Sequence, residues 1–315
     1  MSENLALGLR FMTALDANDA DAILATVNPA GTWWVDSGLD RQAGVLGNDP
    51  GDDRGWPLHA TMNMGVKVEL LRGIRTRFPE GVRQIAWNSF AAGPYVLIEV
   101  DGYGVNTLER VYQNRYAFVI EVRDSKVLHV REYLDTHHSA HTFSGKNLDR
   151  RREAANPGPL DTEEVGAHAA LAKEFCAALS DGDTDRLVGL STPDAVWWAD
   201  SGHDRRRGDR DTPVERDPTK MLVGNSLVHD RAQVIPQLRA TFNGGWQLTP
   251  WRVFGADSSV VIEAWSNGRR TRKDGSVKSY QNRYCFVLEV RGDKVAGVRE
   301  YCDTLHAFDV FGIVV

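Results

Sequence analysis

Apolar residues recur every four positions in two stretches of the first half of the chain, Leu7, Phe11 and Leu15 and then Leu70, Ile74 and Phe78. This spacing places the apolar side chains on one face of an α-helix and predicts an amphipathic helix in each stretch. Another short helix is predicted near residues 19–27, because Asn28-Pro29 ends the helical pattern. The first half of the chain therefore begins with helices.

The pattern then changes to the two-residue alternation of β-strands. Four strands are predicted near residues 83–90, 94–102, 111–123 and 126–135. An earlier short strand covers Trp33 to Asp36, and a long loop rich in Gly, Asp and Pro runs from Ser37 to about Asn63. Helices followed by a run of antiparallel strands predict an α+β fold.

The second half of the chain repeats the first. Residues 112–138 return as residues 280–306 at an offset of 168, and the Trp-Trp-x-Asp-Ser-Gly segment at 33–38 returns at 197–202 at an offset of 164. The copies therefore differ by one four-residue insertion. A solenoid repeats every ~20–50 residues, so a period this long indicates a duplicated domain.

The duplication predicts two tandem domains, residues 1–143 and residues 165–315. Residues 144–164, which include Pro157 and Pro159 among charges, are predicted to be the linker. In the second copy, Val234, Leu238 and Phe242 match Leu70, Ile74 and Phe78 and predict the same helix. The strands of the second copy are predicted near residues 248–254, 258–266, 279–291 and 294–303.

Composition and charge limit the partners. The 315 residues carry a net charge of −6, which argues against nucleic acid or an anionic membrane as the main partner. No apolar run reaches the ~18 residues of a membrane span, and the first residues lack the pattern of a secretory signal. Cys176, Cys285 and Cys302 occupy positions that are apolar in the first copy, so we expect buried, unreactive thiols and a cytoplasmic protein. The basic run at 269–273 is expected to be a solvated loop.

The order of elements resembles the SnoaL-like branch of the NTF2-like superfamily. The resemblance is strongest in the closing strand, written Val-Arg-Glu-Tyr-x-Asp-Thr-x-His at residues 130–138 and again at 298–306. It implies two cone-shaped barrels in tandem, each a curved antiparallel sheet wrapped by helices around a pocket. The superfamily includes isomerases, dehydratases, cyclases, epoxide hydrolases, lyases and binding modules, so the resemblance alone does not select a function.

The resemblance also implies which face of the closing strand lines the pocket. In the limonene epoxide hydrolase relatives, the acid after the arginine of this strand enters the pocket, and the matching residues are Glu132 and Glu300. Those relatives carry Arg-x-Asp on an earlier strand, where this chain has Glu99-Val-Asp101. The missing arginine argues against an epoxide hydrolase mechanism.

Buried carboxylates are the main candidates for catalysis. Burial raises the pKa of a carboxyl group toward the range that suits proton transfer at neutral pH. The candidate catalytic residues are Glu99, Asp101, Glu132, Glu300, Tyr116, Tyr284 and His59. Glu99 and Asp101 share a strand face that we expect to lie across the pocket from Glu132. As an alternative, Glu99 and its counterpart Glu263 pair with arginines.

A second set of residues is expected to line the pockets and bind substrate. In the first copy it contains Trp34, Asp36, Asn114, Phe118 and His138, and in the second copy Trp198, Asp200, His229, Asn282 and His306. Trp33 and Trp197 are expected to face the other side of the sheet. Packing within the core is the alternative for the aromatic residues. Of the histidines at 137, 138 and 141 only His138 recurs, as His306, so we expect no metal site.

The charged residues that the copies share on the other sheet face are expected to form ion pairs across the strands. They are Arg115, Glu121, Arg131 and Asp135, with Arg283, Glu289, Arg299 and Asp303. The back of such sheets is where the two halves are expected to pair as an internal pseudo-dimer, with a further homodimer as one alternative.

Together these residues predict a cofactor-independent acid–base lyase acting on a bulky aromatic small molecule. A lignin-derived diarylpropane is the narrower candidate, by resemblance to cofactorless diarylpropane lyases. The alternatives are an isomerase or hydratase on a steroid- or polyketide-like substrate, and a non-catalytic binding or scaffold protein. Differences between the copies at Asp101 and Trp265 suggest that the pockets are not equivalent, and the first copy is favoured as the active one.

Overall fold

The computed structural model describes residues 1–35, 61–143, 161–199 and 224–312. The chain divides into two compact units, residues 1–155 and 156–315, called the first and second domains below. Each has its own curved sheet and helices, so the predicted α+β fold with two tandem domains is confirmed. Most of the long loop, most of the predicted linker, and Asp36, His59 and Asp200 lie outside the described residues.

The first domain begins with helices and ends with a sheet. Its elements are α1 (Glu3–Asp16), α2 (Ala20–Thr26), β1 (Val27–Val35), β2 (Thr61–Asn63), α3 (Met64–Arg72), β3 (Arg83–Ala92), β4 (Tyr95–Val105), β5 (Val111–Arg123), β6 (Lys126–Leu134) and α4 (Thr136–Phe143). The strand order is β2-β1-β6-β5-β4-β3, and all neighbours are antiparallel except β1 and β6.

The second domain repeats this plan and adds two strands. Its elements are β7 (Glu163–Gly166), α5 (Ala169–Asp181), α6 (Thr184–Gly189), β8 (Ser191–Ala199), β9 (Gly224–Leu227), α7 (Val228–Ala232), α8 (Ile235–Ala240), β10 (Phe242–Ala256), β11 (Ser259–Thr271), β12 (Val277–Tyr280), β13 (Arg283–Arg291), β14 (Lys294–Cys302) and α9 (Thr304–Phe311). The order is β7-β10-β11-β13-β14-β8-β9, and β12 pairs with β11.

The helices differ in two ways from the predicted ones. The third helix of the first domain ends at Arg72, so Ile74 and Phe78 lie outside it, and in the second domain Phe242 already begins β10. A helix after the closing strand, α4 or α9, was not predicted. The side chain of Asp303 caps α9 by accepting a hydrogen bond from His306 N at 3.0 Å, and Asp135 does the same for α4. These aspartates therefore serve as helix caps.

The strand β1 faces the opposite way from the prediction. Trp33 pairs with Val130 and Trp34 with Arg131 in the parallel ladder between β1 and β6, after a register shift that begins at Val27. Neighbouring partners in a sheet point to the same side, so Trp33 enters the core and packs on Phe11 at 5.4 Å. The predicted inward orientation of Trp34 is wrong.

The second domain repeats this correction. Trp197 pairs with Val298 and belongs to the core, where it packs on Phe175 at 5.4 Å between ring centres. Trp198 lies on the other face of the sheet and packs on Tyr301 at 5.2 Å. The predicted pocket position of Trp198 is therefore also wrong.

The four-residue insertion lies in one hairpin. In the first domain Gly104 pairs with Tyr112, and in the second domain the matching pair is Gly268 and Tyr280. The extra residues lengthen the hairpin formed by β11 and β12, which carries Arg270. The insertion therefore changes the second domain at this end of the sheet.

Two of the three cysteines are buried as expected, and Cys302 is not. Cys176 and Cys285 are buried, and burial raises the pKa of the Cys176 thiol to about 12. Cys302 is only half-buried. Among the helices that the structure describes, none has both the length and the apolar character that a membrane span requires.

A close approach of two backbones holds β7 on the sheet. Ala167 N donates to Gly255 O at 2.9 Å, and a Cβ at Gly255 would lie 2.2 Å from the carbonyl oxygen of Ala167. Only glycine fits there without a backbone shift. The matching residue in the first domain is Ala91, on β3, the edge strand of the described sheet.

Gly255→Ala is therefore expected to destabilise the second domain by about 1–3 kcal/mol, because the added methyl group pushes β7 away. Urea denaturation gives the loss, and faster amide hydrogen exchange at residues 163–166 locates it. The control is Gly189→Ala, since a Cβ there meets nothing within 4 Å, and it should stay within about 0.5 kcal/mol of the parent. Equal effects of both variants would contradict the role assigned to Gly255.

Candidate functional site

Each domain buries one glutamate of its closing strand against a tryptophan and a cation. In the second domain, Trp197 Nε1 donates to Glu300 Oε2 at 2.8 Å, and Arg231 Nη2 lies 3.3 Å from the same oxygen. We call Glu300, Trp197 and Arg231 the second acid cluster. The closing strand thus turns its glutamate to the inner face, as predicted.

The first domain contains the same arrangement. Trp33 Nε1 donates to Glu132 Oε2 at 2.7 Å, and Lys67 Nζ lies 3.8 Å from that oxygen. We call Glu132, Trp33 and Lys67 the first acid cluster. A carboxylate, an indole N–H and a cation therefore recur as a unit.

The two cations were missed by the sequence analysis. Lys67 and Arg231 are related by the offset of 164 that relates the tryptophans, so their copied positive charge was the available signal. Lys67 Nζ lies 5.1 Å from the centre of the Trp33 ring, and Arg231 Cζ lies 4.9 Å from that of Trp197. Each cation is thereby held by both the ring face and the carboxylate.

Burial controls the protonation of these glutamates. Desolvation raises the pKa of Glu300, and Arg231 and the Trp197 N–H offset only part of that rise. The pKa of Glu132 is raised for the same reason, against Lys67 and Trp33. Both carboxyl groups therefore hold a proton to higher pH than an exposed glutamate, as expected, although their neighbour is a cation.

A pair of tyrosines lies on the inner face of each sheet, on β5 in the first domain and on β12 and β13 in the second. The hydroxyls of Tyr280 and Tyr284 are 2.5 Å apart, and those of Tyr112 and Tyr116 are also hydrogen-bonded. Burial raises the pKa of Tyr284 well above its ordinary value. These phenols therefore stay neutral near pH 7 and can donate a hydrogen bond. Tyr112 and Tyr280 were not predicted, although they are copied four residues before the predicted ones.

Asn282 and Asn114 act as clamps between elements. Asn282 Nδ2 donates to Asp303 O at 3.2 Å, and its Oδ1 accepts from Asp303 N at 3.2 Å. Asn114 makes the matching contacts with Asp135 at 3.1 and 3.2 Å. Asn114 thus holds β5, and Asn282 the link between β12 and β13, to the residue that follows the closing strand. Their predicted role in substrate binding stays a prediction.

The copied histidines support the tyrosines. His306 Nε2 accepts from Gln281 N at 3.2 Å, and its ring stacks on Tyr280 with ring centres 5.5 Å apart. His138 has the same contacts, with Gln113 N at 3.0 Å and Tyr112 at 5.6 Å. Accepting a backbone N–H requires an unprotonated Nε2, so this contact selects the neutral ring.

Glu99 and Asp101 do not lie across the pocket from Glu132. Val100, between them, pairs with the inward-facing Tyr116, so both acids point to the opposite face of the sheet. Glu99 accepts from Asn88 Nδ2 at 2.6 Å, and Asp101 lies 3.7 Å from Arg115. Their predicted position in the pocket is wrong.

The alternative that Glu263 pairs with an arginine is confirmed. On the outer face of the sheet, part of the predicted ion pairing is present. Glu263 pairs with Arg252 on the adjacent strand at 3.0 Å. Glu289 forms an ion pair with Arg299. Of the remaining candidates, Phe118 lies in the core beside Trp33, and His229 is exposed on α7.

The second acid cluster borders a cavity of about 360 Å³, a volume within the range of ligand pockets. Its wall is largely aromatic and includes Trp197, Phe242, Trp246, Tyr280, Tyr284, Phe286 and Phe311. Glu300, Arg231 and Arg270 supply charge. The Glu300 side chain retains 14% of its surface accessible. The acid, a tyrosine hydroxyl and an aromatic wall therefore meet in one hollow.

Several differences between the copies fall on this wall. Leu134 is replaced by Cys302 and Ser139 by Ala307, and both changes remove side-chain volume. Val82 is replaced by Trp246, which adds aromatic surface. These differences give the cavity of the second domain a wall of its own, whereas the sequence analysis favoured the first domain as the active one. The expected solvated loop at 269–273 is also corrected, because Arg270 is half-buried in the cavity wall.

No group of three or more His, Cys, Asp or Glu side chains able to hold a metal ion occurs within the described ranges.

Residues 172–298 match the family model of the SnoaL-like domain, so the second domain is SnoaL-like, as the closing strand implied. No curated protein matches the chain. Among solved structures, an NTF2-like protein from Burkholderia xenovorans LB400 is 24% identical, covering 45% of this chain and 96% of its own, with a TM-score of 0.34. An LEH-like epoxide hydrolase from M. tuberculosis is 20% identical, covering 43% and 85%, with a TM-score of 0.32.

Trp197→Phe is expected to raise the pKa of Glu300 further, because it removes the indole N–H that stabilises the carboxylate. The measurement is an infrared pH titration of the protonated carboxyl band, assigned by its loss in Glu300→Gln. Trp198→Phe is the matched control, since this neighbouring indole lies on the other face of the sheet and should leave the band's midpoint unchanged. A midpoint that falls in Trp197→Phe, or moves equally in both variants, would contradict the assigned hydrogen bond.

Proposed function

We propose that the second domain is a cofactor-independent acid–base lyase that acts on a bulky aromatic small molecule. Glu300 is the group that transfers protons. The observation that carries this proposal is the position of its carboxyl group, buried beside Arg231 and Trp197 in the wall of an aromatic cavity. The SnoaL-like match supports a small-molecule activity but does not select the reaction.

The contacts of Glu300 suit a group that must both give and accept a proton. Its raised pKa keeps the proton available closer to neutral pH than in an exposed glutamate. Once the proton leaves, Arg231 and the Trp197 N–H stabilise the carboxylate that forms. Neither protonation state is therefore prohibitively costly.

Tyr284 is the candidate for holding the substrate oxygen. Its hydroxyl is oriented by Tyr280, which in turn packs against His306. A neutral phenol donates a hydrogen bond to a hydroxyl, phenolate or developing oxyanion. Trp246 and Phe286, which pack on the Tyr284 ring at 6.4 and 5.2 Å between ring centres, offer flat surfaces to an aromatic substrate.

The narrower candidate reaction is the deformylating cleavage of a 1,2-diarylpropane-1,3-diol. Glu300 protonates the hydroxyl on C1, which leaves as water. The carboxylate then accepts the proton of the C3 hydroxyl, the C2–C3 bond breaks to release formaldehyde, and its electrons form the C1–C2 double bond. The products are a stilbene, formaldehyde and water. The proton returns to Glu300, so no oxidant or reductant is needed.

An isomerase or hydratase would use the same carboxyl group, and product analysis distinguishes these reactions from cleavage. A cytoplasmic location, the pairing of the two domains through their sheets and a homodimer stay predictions from the sequence.

Glu300→Gln is expected to lower kcat/KM for the diarylpropane diol about 10²- to 10⁴-fold, the usual contribution of a general acid or base. The assay uses the full chain without added cofactor and follows stilbene and formaldehyde in equal amounts. Glu289→Gln, a partly exposed glutamate of the same domain paired with Arg299, is the matched control and should keep activity. Glu132→Gln removes the corresponding carboxyl group of the first domain and should also keep activity, because the reaction is assigned to the second domain.

Cleavage that persists in Glu300→Gln but is lost in Glu132→Gln would move the site to the first domain. Binding of aromatic compounds with no turnover of any of them would support the binding-protein alternative and contradict the lyase.

The pH profile provides a separate prediction. The reaction starts from protonated Glu300, so kcat/KM should fall as pH rises through the pKa of this group. Because burial raises that pKa, the midpoint of the fall should lie above 4.5, the ordinary value. Trp197→Phe should move the midpoint upward, and Trp198→Phe should not. A rate that instead rises through this range would mean that the carboxylate, and not the acid, starts the reaction.

A further inference from the structure

Arg270 has a fixed position in the cavity wall. Its Nε donates to Thr241 Oγ1 at 3.2 Å and its Nη1 to Val310 O at 3.0 Å. Its Cζ lies 4.8 Å from the centre of the Phe311 ring. Two hydrogen bonds and a ring contact therefore hold the guanidinium group before any ligand arrives.

The guanidinium group keeps most of its hydrogen-bonding capacity. Arginine has five N–H donors, and the two bonds to Thr241 and Val310 use two of them. Among the described residues no carboxylate forms an ion pair with Arg270, since the nearby Asp309 pairs with Lys278 at 3.4 Å and Arg272 at 4.0 Å. A fork of donors with no carboxylate partner thus borders an aromatic cavity.

The charges around the cavity favour an anion. Its wall holds two arginines and one glutamate, and that glutamate, Glu300, is already paired with Arg231. The remaining positive charge is that of Arg270. Arg272 adds to the local positive potential. Burial, together with the charge of Arg272, lowers the pKa of Arg270.

The insertion explains why this feature belongs to one domain. Arg270 lies on β11 in the lengthened hairpin, where it pairs with Lys278 of β12 on one side and with Phe242 of β10 on the other. The hairpin of the first domain turns two residues earlier, and Asn106 stands at the position that the offset of 164 matches to Arg270. The positive charge of Arg270 in the cavity wall is therefore a feature of the second domain.

We propose that Arg270 binds the carboxylate of an aromatic acid in the second cavity, so that the molecule this domain takes is an anion. The guanidinium fork matches a carboxylate with two parallel hydrogen bonds, and the aromatic wall receives the rings. This inference rests on the proposed function for the site it uses and names its substrate class, a carboxylated aromatic compound.

The test compares two probes of one shape and different charge, biphenyl-4-carboxylate and biphenyl-4-carboxamide. Calorimetric titration of the full chain should give an affinity for the acid about 10- to 100-fold higher than for the amide, the range of one charge-assisted contact. Arg270→Gln should abolish the preference by weakening only the acid. Arg269→Gln, an exposed neighbour on the same strand, should keep it.

Arg270→Lys keeps the charge without the fork and should retain part of the preference, which guards against a folding defect in Arg270→Gln. Equal affinity of the parent chain for both probes, binding of neither, or an unchanged preference in Arg270→Gln would each overturn the proposal. Glu300→Gln separates it from the lyase: this variant should lose turnover and still prefer the acid. If it keeps turnover while Arg270→Gln loses the preference, the proposed proton transfer by Glu300 fails and the anion site stands.

Discussion

The structure of each domain depends on an ionisable carboxyl group held inside an apolar core. A buried acid is costly unless its partners compensate for the lost hydration. Here an indole N–H and a cation supply that compensation, and the cation is also held by the indole ring. The same three groups occur in both domains, although the cation is Lys67 in one and Arg231 in the other. The cluster thus preserves its chemistry while the residues around it differ.

Those differences separate a common framework from a specific site. The tyrosine pairs, the asparagine clamps and the histidines are nearly the same in the two domains, because they hold the long strand against the following helix. The changes fall on the cavity wall of the second domain, at Trp246, Cys302 and Ala307, and on its longer hairpin. A duplicated domain that keeps its framework and changes its wall is expected when one copy acquires a ligand of its own.

The sequence was sufficient to predict the fold and the position of the buried glutamate on each closing strand. The family resemblance placed Glu132 and Glu300 on the inner face of the closing strand, and that placement agrees with the structure because the strand is regular where they lie. The predicted orientation of Trp34 was wrong: β1 carries a register shift between Val27 and Thr32 in its ladder with the closing strand, and the sequence pattern does not reveal that shift. The predicted position of Glu99 was wrong because the resemblance, and not the register, had set its face. Lys67 and Arg231 come from helices far away in sequence, so only their equal offset from the tryptophans pointed to them.

The most direct test of the account is a crystal structure of the full chain with a bound two-ring aromatic acid. The account predicts electron density in the second domain between Tyr284 and Trp246, with an oxygen within hydrogen-bonding distance of Glu300 and the carboxylate at Arg270. If side chains of the protein fill the cavity of the second domain, or if the ligand binds only elsewhere on the protein, the assignment of Glu300 as the group that transfers the proton is contradicted.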